Sequence, residues 1–451
     1  MKNQGLCELH LHLYGCLRHD DVLDRIVAMD DVDWTFYEQA YLEAFGHPSV
    51  AREVVDQAKR GEGLDSDRFQ AVFEFGEADA GNFSRFSAKF NLLIVGSCFP
   101  SALAGRQPWD AVVDEVVEVS RSVLADQRLE GLGWAEQRLR PGEQVPPEVV
   151  RRLWAGVLAA YRESPPGLEA RLTASLPRHD PWTQWEIAEE LALGPDGQWL
   201  TGIDFCHIEE GFPPRAQAPF FDALRDFNNR NPERALALLY HVGESFNDKS
   251  IESAIRWVQE AAEVGAHRLG HAIALGIDPD HFGPHTRSEC VSERRDQIRY
   301  DLLHAAGLER AGVRIDGAAL EAELLHLEER EADDLLDLVY DEERLKILRK
   351  RQDFAMERVR STGAIIEVCP TSNRRIAGLT ESRYHPVHRF LERGLPIVVA
   401  ADDPGIFGVR LDEEIDWVVD QTGIGSEGRE ALVQAAWDAR SERLVGRSCP
   451  E

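Results

Sequence analysis

The sequence predicts an α/β protein built on a closed parallel barrel of eight strands, a (β/α)8 TIM barrel with helical insertions after strand 1 and between strands 6 and 7. Three observations carry that expectation. Eight short runs read as strands, most of them are separated by stretches of helical period, and several of the runs end in polar, metal-ligating residues. Alternation of strand and helix favours a parallel sheet, and polar residues at the C-terminal ends of buried parallel strands are where such barrels keep their active sites.

The first run is Leu6–Leu13, in which leucines alternate with Glu8, His10 and His12. That is a period of two, so both imidazoles point to one side of a strand and can share a metal. Residues 30–80 then hold helix-like pieces, including Tyr37–Phe45 and Val50–Arg60. Strands follow at Leu132–Leu139, Ala170–Leu176 and Trp199–Cys206, and a helical stretch at Phe220–Asn228. Ala235–His241 is a continuous apolar run, as expected of a strand buried on both faces; His241 ends it and Glu244 lies three residues on. Helix-like Ser253–Val264 leads to the strand Ala266–His271. The connection 277–350 is long, and its segment Ala318–Arg351 spaces Leu320, Leu324, Leu327, Leu335, Leu338, Leu345 and Leu348 among dense charge. That pattern predicts a helical hairpin with an apolar seam, serving as a lid, an oligomer contact or a surface excursion. Ala364–Cys369 and Pro396–Asp402 complete the eight, and Pro404 stops the last. A plain barrel needs roughly 250 residues; the two insertions account for much of the excess, and 1–451 is expected to be one domain.

Composition narrows the classes. Apolar residues make up 43%, enough for a large core, and no run reaches the roughly 18 residues of a membrane helix. A net charge of −30 argues against nucleic acid and anionic membranes as partners, and gives an anionic substrate no long-range help. Seven cysteines with no Cys-x-x-Cys pair suggest reduced thiols in a cytoplasmic protein, with Cys7, Cys206 and Cys369 as small core residues. The ligand-bearing strand begins within the first 15 residues, so no signal peptide is expected before it. The tail after about Val445 is expected to be short and mobile. Only six of the 50 basic residues are lysine (Lys2, Lys59, Lys89, Lys249, Lys346, Lys350), and none falls at a strand end. A carbamylated lysine bridging two metals is therefore not expected. A cytidine-type zinc site, His-x-Glu with Pro-Cys-x-x-Cys, does not occur either.

His10, His12, His241, Glu244, His271, Asp402 and Asp403 together offer ligands for one divalent metal, a carboxylic acid, a further imidazole and a spare carboxylate. Each cluster alone could be a strand or helix cap. Together they suit a hydrolase that activates water on a metal.

At this point a family resemblance emerges. The chain resembles the adenosine deaminase family of metal-dependent amidohydrolases along nearly its whole length. It shows Glu8-Leu9-His10-Leu11-His12-Leu13, the stretch Phe83–Asn91, Trp134-Ala135-Glu136-Gln137-Arg138 and Gly202-Ile203-Asp204. It continues with His241-Val242-Gly243-Glu244, Arg268-Leu269-Gly270-His271, Glu367-Val368-Cys369-Pro370-Thr371-Ser372-Asn373, His385-Pro386 and Asp402-Asp403-Pro404, all in the family's order. The resemblance implies one Zn²⁺ per chain, held by His10, His12, His241 and Asp402. His271 resembles the base that orients the water, Glu244 the acid that protonates purine N1 as hydroxide adds to C6, and Asp403 the group that bonds N7. Tyr14, His207 and Gly243 are expected on the substrate side, and a small-molecule purine is the implied partner.

Two departures bear on the substrate. Nucleoside-acting members carry an aspartate where this chain has Tyr14, and a glycine where it has His207. Members acting on AMP lack both, so adenosine or a related nucleoside is expected first and a nucleotide such as AMP second. Arg18, Arg178 and Arg215 are candidate phosphate partners. Two other classes stand beside these: a different amidohydrolase cleaving another amino-heterocycle, and a catalytically silent barrel.

Overall fold

A computed structural model describes residues 4–379 and 381–447. Eight strands form a parallel ring in the order β1 (Leu6–His12), β2 (Leu132–Leu139), β3 (Glu169–Ser175), β4 (Leu200–Asp204), β5 (Ala237–Val242), β6 (Arg268–His271), β9 (Ile365–Val368) and β10 (Ile397–Val399). Beyond β10 the ring closes on β1: His12 N–H donates to Asp402 O at 3.1 Å and Asp402 N–H to His10 O at 3.0 Å. Helices such as Trp109–Leu129, Pro147–Arg162 and Ala218–Arg230 pack outside, and the main apolar core lies between them and the strands. No helix among the described residues is long and apolar enough to cross a membrane.

Strict alternation fails in β1, where the step from Glu8 to Leu11 matches only Ala135 to Gln137 on β2. This bulge places one extra residue and turns the strand locally. Glu8 is thereby turned from the barrel axis, and its carboxylate accepts from the N–H groups of Leu9, His10 and Ala401. His10, within the bulge, and His12, just past it, both reach Asp402 Oδ1, at 3.3 and 3.2 Å.

The barrel's interior is ionic instead of aliphatic. Glu136, Arg138, Asp204, Arg268 and Glu367 are each at most 1% exposed. Arg138 Nη2 donates to Glu367 Oε2 at 2.6 Å, Arg268 Nε pairs with Glu367 Oε1 at 2.7 Å, and Arg268 Nη2 donates to Glu136 Oε2 at 2.6 Å. The C-terminal segment plugs the floor. Ser441 gives its N–H and hydroxyl to Glu136 at 2.8 and 2.6 Å, and Ala439 O accepts from Arg268 Nη1 at 2.7 Å.

Two expectations need correction. The tail beyond Val445 was expected to be mobile, but Arg447 is tied to the carbonyls of Ala235, Leu200 and Arg234; residues 448–451 lie outside the described residues. The helical hairpin over Ala318–Arg351 is instead a helix (Gly317–Glu328), a strand β8 (Leu335–Tyr340) and a helix (Glu342–Thr362). β8 pairs antiparallel with β7 (His285–Cys290), from Cys290↔Leu335 to His285↔Tyr340. The run Leu335-Leu336-Asp337-Leu338-Val339-Tyr340 is short and ends in a β-branched and an aromatic residue, which suits a strand better than a helix. The insertion after β1 is helical as expected, with helices Thr35–Phe45, Ala51–Lys59 and Ser66–Phe73. Among the described lysines none lies on a barrel strand; Lys2 falls outside the described residues.

Candidate metal centre and catalytic site

Three of the four imidazoles at the barrel mouth are held in the same way. His10 Nδ1–H donates to Glu367 Oε2 at 2.8 Å, His241 Nδ1–H to Asp204 Oδ1 at 3.0 Å, and His271 Nδ1–H to Asn373 Oδ1 at 2.9 Å. Each acceptor fixes a tautomer in which Nε2 carries the lone pair, the arrangement found behind metal-binding histidines. The Nε2 atoms of His10 and His241 are buried and make no hydrogen bond. Buried polar atoms are rarely left alone, so these two are suited to a cation.

The other donors gather on the same spot. Asp402 Oδ1 lies 3.3 Å from His10 Nε2 and 3.2 Å from His12 Nε2. Ligating atoms of His10, His241 and His271 lie within 4.8 Å of one another, as do those of Glu244, His271 and Asp402. The His12 ring centroid is 5.5 Å from that of His10 and 5.3 Å from that of His241. Nitrogen and carboxylate donors in this number fit a catalytic zinc site. Cys369, expected as a small core residue, also lies within 4.8 Å of the ligating atoms of His10 and Asp402. The signal was strand alternation: Glu367 faces inward, and so does the residue two further on.

Beside these donors stand the acid and base candidates. His271 Nε2 is 3.5 Å from Glu244 Oε2 and 4.0 Å from Asp402 Oδ2. Loss of water raises the Glu244 carboxyl above the ordinary range, His271 opposing and Asp402 reinforcing the shift, although the side chain keeps 22% of its surface at the mouth. Burial and the neighbouring Asp402 push Asp403 up to about 7. Its Oδ1 is buried with no protein partner. Gly15 is required beside it, because a Cβ there would sit 1.7 Å from Asp403 Oδ1.

Among the described residues, four without a glycine's freedom adopt the left-handed region: His207 (φ 75°), His271 (φ 64°), Ala272 (φ 49°) and Asp402 (φ 62°). Such conformations cost about 1–3 kcal/mol each and gather at functional sites. His207 stands exposed at the end of β4, with Arg140, Glu143, Arg178 and Glu210 as its charged neighbours.

Other residues expected on the substrate side are more committed. The N–H of Gly243 (φ 69°) is used by Glu209 Oε2 at 2.8 Å and its carbonyl by Ala274 N–H at 2.9 Å. The Tyr14 hydroxyl lies beside Glu115 of the outer helix Trp109–Leu129. The three arginines considered for a phosphate are all engaged with the frame. Arg18 bonds the carbonyls of Pro404 and Val409, Arg178 those of Phe205 and His241, and Arg215 pairs with Glu260.

Known proteins resemble the chain along these lines. A sequence profile of the adenosine deaminase family matches residues 339–440. An adenosine deaminase of Shewanella loihica is 24% identical over 344 residues, which is 74% of this chain and 76% of that protein. A crystal structure of an amidohydrolase from Burkholderia ambifaria with bound zinc superposes with a TM-score of 0.52 at 16% identity, covering 97% of this chain and 85% of the other. The Arabidopsis protein ADAL complexed with IMP gives 0.53 at 16% identity, over 97% and 93%. At such identity the solved structures speak for the fold alone, a parallel barrel of eight strands.

Proposed function

We propose that the chain is a zinc-dependent hydrolytic deaminase of the adenosine deaminase family, acting on a 6-aminopurine, adenosine or a related nucleoside first. The observation that supports this reading is that His10 and His241 offer buried Nε2 atoms with no hydrogen bond, their ligating atoms within 4.8 Å of each other, while Asp402 Oδ1 lies 3.3 Å from His10 Nε2 and 3.2 Å from His12 Nε2. Beside these atoms stand an acid and a base at 3.5 Å from each other. We take residues 1–451 as one catalytic domain.

His10, His12, His241 and Asp402 would hold one zinc ion. The ion would supply Lewis acidity and bring the pKa of water down to about 7. His271, its Nδ1–H fixed on Asn373, keeps Nε2 free to take the proton of the attacking water. Glu244, desolvated enough to hold a proton, gives it to N1 of the purine as oxygen adds to C6. N7 accepts hydrogen bonds only, so Asp403 serves it in its protonated form. The C6–N bond then breaks with proton transfer to nitrogen. One water is consumed, ammonia leaves, and the 6-oxopurine remains.

A second reading, an adenine nucleotide, is favoured by Tyr14 and His207 at the positions where nucleoside-acting members carry aspartate and glycine. The likeness to a protein that binds IMP points the same way. Ammonia release from adenine, adenosine, AMP and ATP, measured on protein whose zinc has been counted by elemental analysis, decides between them. Release from adenosine with one zinc per chain is expected. Zinc-loaded protein inactive on all four would end the purine reading.

A further inference from the structure

The β7–β8 hairpin grips the loop that carries Glu244. That loop runs from Gly243 to Ser250, the N-cap of the helix Ile251–Glu263. At its start Gly243 is pinned by Glu209 and Ala274. Beyond Glu244 the segment after β4 holds two side chains, Ser245 Oγ donating to Glu210 and Asp248 Oδ2 accepting from Gly211 N–H at 3.2 Å, and the hairpin holds the backbone. Arg287 Nη1 donates to the carbonyls of Phe246 and Lys249 at 3.0 and 3.3 Å, and its guanidinium lies 5.1 Å from the ring of Phe246 and 5.7 Å from that of Phe282. Glu289, fully buried, accepts from Ser250 N–H at 3.0 Å and Ser253 Oγ at 2.9 Å. The Tyr340 hydroxyl accepts from Ile251 N–H at 3.0 Å and donates to Glu252. Glu289 and Tyr340 thus serve the amides at the start of a helix, where unpaired N–H groups attract an anion.

We infer that the insertion between β6 and β9 is a positioning element for the general acid: Arg287, Glu289 and Tyr340 fix the loop that sets where Glu244 stands against His271 and the substrate. None of the three touches the metal donors or the reacting atoms. The inference rests on the assignment of Glu244 as the acid. Without the hairpin the buried carbonyls of Phe246 and Lys249 and the amides of Ser250 and Ile251 lose their partners, and the contacts of Ser245 and Asp248 with the segment after β4 leave that backbone unfixed. Misplacement of a catalytic group by about 1 Å costs on the order of 10²-fold in rate.

The test uses the full-length, zinc-loaded protein with Arg287→Ala, Arg287→Lys and Tyr340→Phe. Arg287→Ala is expected to lower kcat by about 10²-fold with KM changed far less and zinc content unchanged. Amide hydrogen exchange in residues 245–250 should quicken. Arg287→Lys, which keeps a donor for the two carbonyls, should recover part of both. Tyr340→Phe retains the ring and should show a smaller loss of the same kind, which keeps the test open if Arg287→Ala fails to fold. Unchanged kcat together with unchanged exchange in 245–250 would overturn the inference, as would a loss of kcat that only follows loss of zinc. A wild-type protein that deaminates no purine would remove the role of Glu244, whereas unchanged exchange in an active enzyme would remove the brace alone.

Discussion

A missing Cβ holds Asp403 in place. Any side chain at Gly15 would drive into its carboxylate, so Gly15→Ala should displace Asp403 and lower kcat/KM by about 10²-fold. The melting temperature should barely move and zinc should stay bound; steady-state kinetics beside a thermal scan checks this. Glu244→Ala should keep the zinc and nearly abolish turnover, because the residue is at the mouth and its loss opens no core cavity. His241→Ala should instead lower zinc content by elemental analysis. An active Glu244→Ala protein would refute the acid's role. The residues of this site that sequence could reveal are those at the ends of apolar runs: His10, His12, His241, His271, Asp402 and Asp403. Their supports were not assigned roles in the sequence. Glu367 stands 357 positions from His10, and Asn373 102 from His271, so only barrel closure shows who serves whom.

At the scale of elements, the hairpin is fastened to the barrel by a titratable knot. Glu252 of the helix Ile251–Glu263 accepts from Arg344 Nε at 2.9 Å and from the Tyr340 hydroxyl. Burial alone would raise its pKa, but Arg344 and Arg351 outweigh that and hold the carboxyl below its ordinary value of 4.5. A carboxyl depressed in the folded state stabilises fully above its unfolded pKa, and the contribution fades as pH falls through the folded value. Glu252→Gln should therefore be less stable than wild type in urea at neutral pH, and the gap should close in acid. A gap that widens below pH 4.5 would contradict the assignment. The barrel strands were legible because β1 alternates leucine with polar residues, β5 and β10 continue apolar runs, and several strands end in a polar cluster. β7, with the sequence His285-Thr286-Arg287-Ser288-Glu289-Cys290, has no such pattern and is a strand only because β8 pairs with it. Leucines spaced as on a helix concealed β8 for the same reason.

For the molecule as a whole, a net charge of −30 is a steady repulsion that salt relieves. The melting temperature should rise from low to high sodium chloride; a fall would mean that ion pairs outweigh the repulsion. The C-terminal segment is part of the barrel, so Ser441→Ala, which strips a donor from buried Glu136, should cost about 1–3 kcal/mol in urea denaturation. The ionic column has a consequence for how the chain folds. Arg268 meets a carboxylate 132 positions away, Arg138 one 229 away, and the backbone of Ser441 one 305 away. A half-built ring would strand bare ions in a dry interior, at a penalty of several kcal/mol apiece. Assembly from autonomous halves is thereby discouraged: split between β4 and β5, the fragments should remain unstructured apart and gain order only when mixed, and the intact chain should unfold in one cooperative step, slowly formed and late to commit.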